Sequence, residues 1–163
     1  MRWLRHLCMR PATHWFDEAA LTAITAAIAA GEQRHAGQLV LAVEAELGWR
    51  ALWRGDTARQ RAEQAFARLR VWDTVGNDGV LLYLLLADHA VEVVADRGLQ
   101  HISAAQWQSV CDRLRERVQA GTPLAAAVEQ AVVELSGLLA AAVPRQPGLA
   151  EAGPGLADRP HLL

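Results

Sequence analysis

The sequence has no lysine: all 16 of its basic residues are arginine. Against 18 acidic residues they leave a formal net charge of −2. That balance excludes the broad positive field expected of a nucleic-acid-binding chain. Arginine and alanine in excess together read as the codon bias of a GC-rich genome. Two cysteines, Cys8 and Cys111, exclude a disulfide framework and suit a reducing compartment. The phosphate-binding G-x-x-x-x-G-K-[ST] and G-x-G-x-x-G, the zinc-protease H-E-x-x-H, the redox C-x-x-C and the hydrolase G-x-S-x-G are all missing. An uninterrupted apolar leader is missing as well, because Arg5 and His6 break the N-terminal run. The apolar segment 124–143 contains Glu129, Gln130 and Glu134, and carboxylates in mid-span are costly in lipid, so it reads as a buried soluble helix. These features together lead us to expect a cytoplasmic protein with no transmembrane segment.

What is present is a chain of 163 residues, enough for one domain with its own core. Asp17 caps a first helix running to about His35, with Leu21, Ile24 and Ile28 at helical spacing. Gln38–Leu47 alternates as a strand, with Leu39, Leu41, Val43, Ala45 and Leu47 on one face. The other face ends in Glu44 and Glu46. Thr57 and Gln60 form a capping box for a second helix ending near Leu69. Gly76-Asn77-Asp78-Gly79 is a cluster of turn formers that releases eight apolar residues, Val80–Ala87, a pattern suited to a central strand covered on both faces. Asp88-His89 connects this run to a third strand, Ala90–Ala95. Ser103 and Gln106 cap a further helix that stops at Gly121, and Thr122 with Pro123 opens the last one. The expected order is helix-strand-helix-strand-strand-helix-helix. A strand–helix–strand unit implies a parallel pair and the two-residue connection an antiparallel one. The fold class is therefore α/β, a three-layer α/β/α sandwich with a small mixed sheet. Residues 1–16 form a basic aromatic arm, 17–143 the domain, and 144–163, with four prolines and three glycines, a poorly ordered tail. The arm (Trp3, Leu4, Leu7 with Arg2, Arg5 and Arg10) reads as packing on the domain, or as a contact with a membrane surface or a partner.

The topology carries a chemical expectation. The third strand runs back along the second, so Asp96 and Arg97 approach Asn77 and Asp78, with Asp73 in the preceding loop. Asp73, Asn77, Asp78 and Asp96 are oxygen donors on loops, the donor type that a hard cation such as Ca²⁺ or Mg²⁺ takes. The plain alternative is a set of turn formers and an Asp96–Arg97 salt bridge. At the opposite edge lie Glu46, Asp88, His89 and the Trp49/Trp53 segment, which reads as a lid, a docking site or a flap sealing the sheet. Cys111 to Arg117 matches C-x5-R, the pattern of cysteine phosphatases. It has no glycine and lies within a helix whose N–H groups are already used, so Cys111 reads as a core residue.

The segment from Arg70 to Leu99, V-W-D-T-x-x-x-D-G-V-L-L-Y-L-L-L-A-D-x-x-V-E-V-V-A-D-R-G-L, resembles the TPM domain family, and its soluble bacterial branch most. His35-Ala36-Gly37-Gln38 and the Trp107 to Cys111 helix followed by Gly121 extend the likeness over roughly residues 17–143. The resemblance implies an α/β/α sandwich. It also brings a phosphatase activity attributed to some members and accessory roles of others in photosystem repair or receptor assembly. By position, Asn77, Asp78 and Gly79 match the family's entry to its central strand, and Asp96, Arg97 and Gly98 the turn after the hairpin. His89 stands where an arginine is common, and the Gln100-His101-Ile102 loop is short. Two functions are expected from this. One is a binding or accessory module with a protein partner and a divalent cation at the acidic edge. The other is a weak metal-assisted phosphomonoesterase, in which Asp73, Asp78 and Asp96 hold the ion and Arg97 steadies the anion, with Asp78, Asp96 and Arg97 as its catalytic residues.

Overall fold

The computed structural model describes residues 10–145 and 158–163. Asp17 accepts from the Ala20 N–H and opens α1, Glu18–Glu32. The parallel pair follows as expected: β1, Gln38–Glu44, lies beside β2, Gly79–Leu85, in register from Gln38 opposite Gly79 to Glu44 opposite Leu85. Between them run a short helix, α2 (Trp49–Arg54), and α3 (Ala58–Arg68). β2 turns through Leu86–Asp88 and a left-handed His89 into the antiparallel β3, Ala90–Ala95. The chain ends in α4, Ala104–Gln119, α5, Leu124–Ala142, and a two-residue β4, His161–Leu162, which pairs parallel with β1. The sheet order is β3-β2-β1-β4.

Both expected capping boxes close, Thr57 with Gln60 and Ser103 with Gln106. Each cap is worth about 1 kcal/mol to its helix. β2 is buried along its whole length because helices cover both faces. On one side Leu39, Leu41, Val43, Leu82 and Leu84 pack under α1, α4 and α5. On the other Val40, Ala42, Leu81, Tyr83 and Leu85 pack under α2 and α3. The expected α/β/α sandwich is therefore the observed one.

Four details differ from the sequence reading. β1 stops at Glu44, and Leu47 joins the opposite core from Leu39, because the chain has left the ladder before it. Pro123, not Thr122, occupies the position before α5. The Thr122 N–H is spent on the Arg117 carbonyl, in the turn that ends α4 at a left-handed Gly121. Ala12 and Phe16, assigned to the arm, are buried in the larger core, while residues 1–9 lie outside the described residues. The tail is ordered at its end, where Leu163 donates to the Val43 carbonyl; residues 146–157 lie outside the described residues. α5 is long and apolar enough to cross a bilayer by length and composition. Here it buries Ala127, Val128, Ala131, Val132, Leu135 and Leu139 in the core, and its Glu134 accepts from Arg113 and Arg117 of α4.

Candidate functional site

The juxtaposition at the acidic edge forms as the topology requires. The Asp96 N–H donates to the Gly79 carbonyl at 2.9 Å, which joins the end of β3 to the start of β2. Asp96 Oδ1 accepts from the Arg97 N–H at 2.7 Å and caps the short turn Arg97–Leu99. The Gly98 N–H donates to the Asn77 carbonyl at 2.8 Å. The approach is close: a Cβ on Gly98 would stand 2.4 Å from the Gly76 carbonyl oxygen and 2.5 Å from that of Asn77. Only glycine fits there. Asn77 sits in the left-handed region, which its side chain tolerates.

The side chains divide differently from the expectation. Arg97 does not pair with Asp96. Its Nε and Nη2 donate to Asn77 Oδ1 at 3.1 and 2.9 Å. Asp73 is drawn to Arg70, whose Nη2 donates to its carboxylate at 2.7 Å on the exposed loop. The Asp78 carboxylate is buried against Gly76, while its N–H donates to Thr74 Oγ1 at 3.0 Å. Asp96 Oδ2 is shut off from solvent and has no hydrogen-bond partner. Among the described residues no three His, Cys, Asp or Glu side chains gather as a ready cation cage. The edge thus brings Asn77, Asp78, Asp96 and Arg97 together and leaves Asp73 engaged elsewhere.

A cleft of about 380 Å³ adjoins this edge. It runs between β3, Arg59 of α3 and the Trp107–Cys111 face of α4, with Glu92, Asp96, Arg97, Gln100 and Gln108 as polar walls. The sequence reading missed it, since its walls lie far apart along the chain. Cys111 reaches the cleft as a buried thiol whose pKa burial pushes up to about 11. That state opposes a thiolate nucleophile and agrees with the rejection of the C-x5-R match.

At the opposite edge α2 seals the sheet with Ala51 and Leu52, not with its tryptophans. Trp49 and Trp53 are 65% and 76% exposed, and the Arg50 guanidinium stacks on Trp49 at 5.4 Å. Arg54 pairs with Asp56. Glu46 and His89 face solvent. Nearby is a buried polar group that sequence reasoning did not find. Arg61 donates to both oxygens of Glu44, at 2.6 and 3.2 Å, and the Tyr83 hydroxyl donates to Glu44 Oε2. Its only sequence signal is a lone tyrosine inside an otherwise aliphatic run. The Tyr83 phenol is pushed far up, first by burial and then by Glu44, and stays neutral.

Fold and edge define a class: a mixed-sheet α/β/α domain that presents loop-borne oxygen donors where its hairpin returns to the central strand. The sequence model of the TPM domain matches residues 11–138, and the chain belongs to the TPM domain family. The BA42 protein from the psychrophilic bacterium Bizionia argentinensis, solved by NMR, has a similar fold. Its TM-score is 0.75 at 18% identity, over 90% of this chain and 94% of that one. No curated protein matches.

Proposed function

We propose that this TPM domain is a non-enzymatic binding module whose ligand-facing edge is Asn77, Asp78 and Asp96, and that the edge takes a divalent cation, Ca²⁺ or Mg²⁺. The observation that carries this reading is Asp96 Oδ2, a solvent-excluded carboxylate oxygen with no partner. Such an atom is costly to bury, and a hard cation relieves that cost. The carbonyl oxygens of Gly76 and Asn77 lie against Gly98, two residues along the same turn. Arg97 already places a positive charge on Asn77, so an entering ion competes with it and binds weakly. The test is a thermal-shift titration of the parent and of Asp96→Asn. Binding to the native state raises stability by RT ln(1 + [L]/Kd), so the parent's Tm climbs with millimolar Ca²⁺ or Mg²⁺ while the variant's does not. A flat parent curve up to about 10 mM of either ion overturns the reading.

The cleft supports a second reading, metal-assisted phosphomonoester hydrolysis. Arg97 and Gln100 line the cleft as donors suited to phosphoryl oxygens beside Asp96, while Arg59 and Gln108 already donate to Glu63, the Val93 carbonyl and Asp112. In that reading Asp78 and Asp96 would hold the ion, which would supply polarisation of phosphate and water, and Arg97 would steady the anion. Asp73 would have to leave its exposed ion pair with Arg70 to join Asp78 and Asp96. Turnover of a generic phosphomonoester with Mg²⁺, Mn²⁺ or Ca²⁺ that disappears in Asp96→Asn and Arg97→Ala selects this reading. Absence of turnover leaves the binding module.

A further inference from the structure

We propose that the outer edge of β1 is a strand-acceptor groove for extended peptides of the pattern basic–Pro–x–apolar–apolar, and that Arg159–Leu163 of this chain is its resident ligand. The segment lies parallel to β1, with His161 opposite Ala42 and Leu162 opposite Val43. The Leu163 N–H donates to the Val43 carbonyl at 2.8 Å. Side chains alternate as strand addition requires: Leu162 packs on the core under α1, α4 and α5, Leu163 on the core under α3. Pro160 is buried. Arg159 Nη2 donates to both carboxylate oxygens of Glu18, at 2.8 and 3.0 Å, at the start of α1. Main-chain pairing supplies the attachment, and two apolar positions, a proline and a charge supply the selection. Burial first, and then the charge of Arg68, hold the His161 imidazole toward the neutral form.

The groove is bounded. Further back on the same edge Glu32 Oε1 accepts from the Leu39 N–H, and His35 forms a bridge with Pro144. Those contacts close the strand's beginning and leave the Ala42–Val43 stretch to the segment. Two residue pairs hold β4, whereas seven join β1 to β2. The segment is therefore the least extensively paired strand of the sheet, and β1, β2 and β3 remain a connected sheet without it. An unpaired edge with apolar flanks on both faces is a template for another strand. The partner that fits is an unfolded or terminal segment of a protein carrying this pattern, in competition with the chain's own copy.

The test uses the full chain carrying Leu162→Asp and Leu163→Asp, with a fluorescent Arg-Pro-His-Leu-Leu peptide read by anisotropy. The expected result is binding at least tenfold tighter than to the parent, where the tethered segment competes at an effective concentration on the order of millimolar. Glu18→Arg added to that variant weakens the peptide, and a Glu-Pro-His-Leu-Leu peptide restores binding. No binding to a folded double variant overturns the proposal. Should the double variant not fold, amide exchange in the parent decides. The Leu163 N–H exchanges by local opening at least a hundredfold faster than the amides of β2 if the segment is a ligand. Exchange of both only through global unfolding refutes it.

Discussion

The Glu44–Arg61–Tyr83 group allows a quantitative prediction. Glu44 is a carboxylate whose side chain keeps 8% of its exposure, and its partner Arg61 keeps 21%. Arg61→Met removes two charge-assisted hydrogen bonds and leaves the carboxylate buried with the Tyr83 hydroxyl alone. Stranding one member of a buried pair costs about 3–5 kcal/mol. The retained tyrosine bond puts the loss near the lower end, about 3 kcal/mol. For a chain of this size that is a fall in Tm of about 6–12 °C. The companion variant replaces all three, Glu44→Leu with Arg61→Met and Tyr83→Phe. It removes the charge, its partner and the hydroxyl together and leaves no buried polar atom of the group unsatisfied. Such replacements are often neutral or stabilising, so the triple variant is expected within about 1 kcal/mol of the parent. Urea titrations of the parent, single and triple variants measure all three. A triple variant no more stable than Arg61→Met refutes the reasoning, because the loss would then lie in packing and not in an uncompensated charge.

Two further perturbations follow from the same structure. Gly98→Ala places a methyl against two backbone oxygens that cannot rotate away, so a loss of about 1–3 kcal/mol is expected; a urea midpoint within about 0.5 kcal/mol of the parent contradicts the close approach. His35 is buried, its Nδ1–H donates to the Gly37 carbonyl at 2.8 Å, and burial holds its pKa below the ordinary 6.5. A folded-state pKa below the unfolded one means the unfolded chain takes up the proton first, so stability falls as pH drops below about 6.5. His161, lowered by burial and Arg68, acts in the same direction. The loss between pH 7 and 5 is expected to shrink in His35→Gln, and an unchanged pH slope counts against a buried neutral His35.

What was legible in the sequence is what local chemistry decides. The Thr57/Gln60 and Ser103/Gln106 boxes need only residues three apart, and both close. The eight-residue apolar run could satisfy its faces only in the middle of a covered sheet, and β2 lies there. The return of the hairpin places Asp96 beside Gly79 by connectivity alone. Connectivity places backbones, however, and does not choose hydrogen bonds. Arg97 had two acceptors within reach of its turn, Asp96 and Asn77. Asp96 caps the turn through Oδ1 and its Oδ2 is shut off from solvent, while the left-handed Asn77 presents its amide oxygen to the guanidinium. Thr122 likewise reads as a helix cap, but the helix opens one residue later, with Pro123 in the cap position.

Two of the features beyond reach of the sequence have a common origin. Glu44 is 17 residues from Arg61 and 39 from Tyr83, so no local pattern marks them as partners. Arg159–Leu163 follows a stretch rich in proline and glycine and is too short to show a period, yet it completes the β1 edge. Both occur where β1 would otherwise expose unsatisfied groups: a carboxylate at its end, and main-chain donors and acceptors along its side. A three-stranded sheet with α3 on one face leaves those groups open. The chain closes the first with an arginine held in the regular structure of α3. It closes the second with a segment held by two ladder pairs, one exposed ion pair, the packing of Leu162 and Leu163 on the two cores and a buried Pro160. An exposed ion pair contributes about 0–1 kcal/mol, far less than a buried one costs to break. The first closure rests on a buried charge that cannot be stranded cheaply and the second on pairing and apolar packing that another extended segment could reproduce, so Arg61 is a fixed part of the fold and the β1 edge is where the proposed exchange would act.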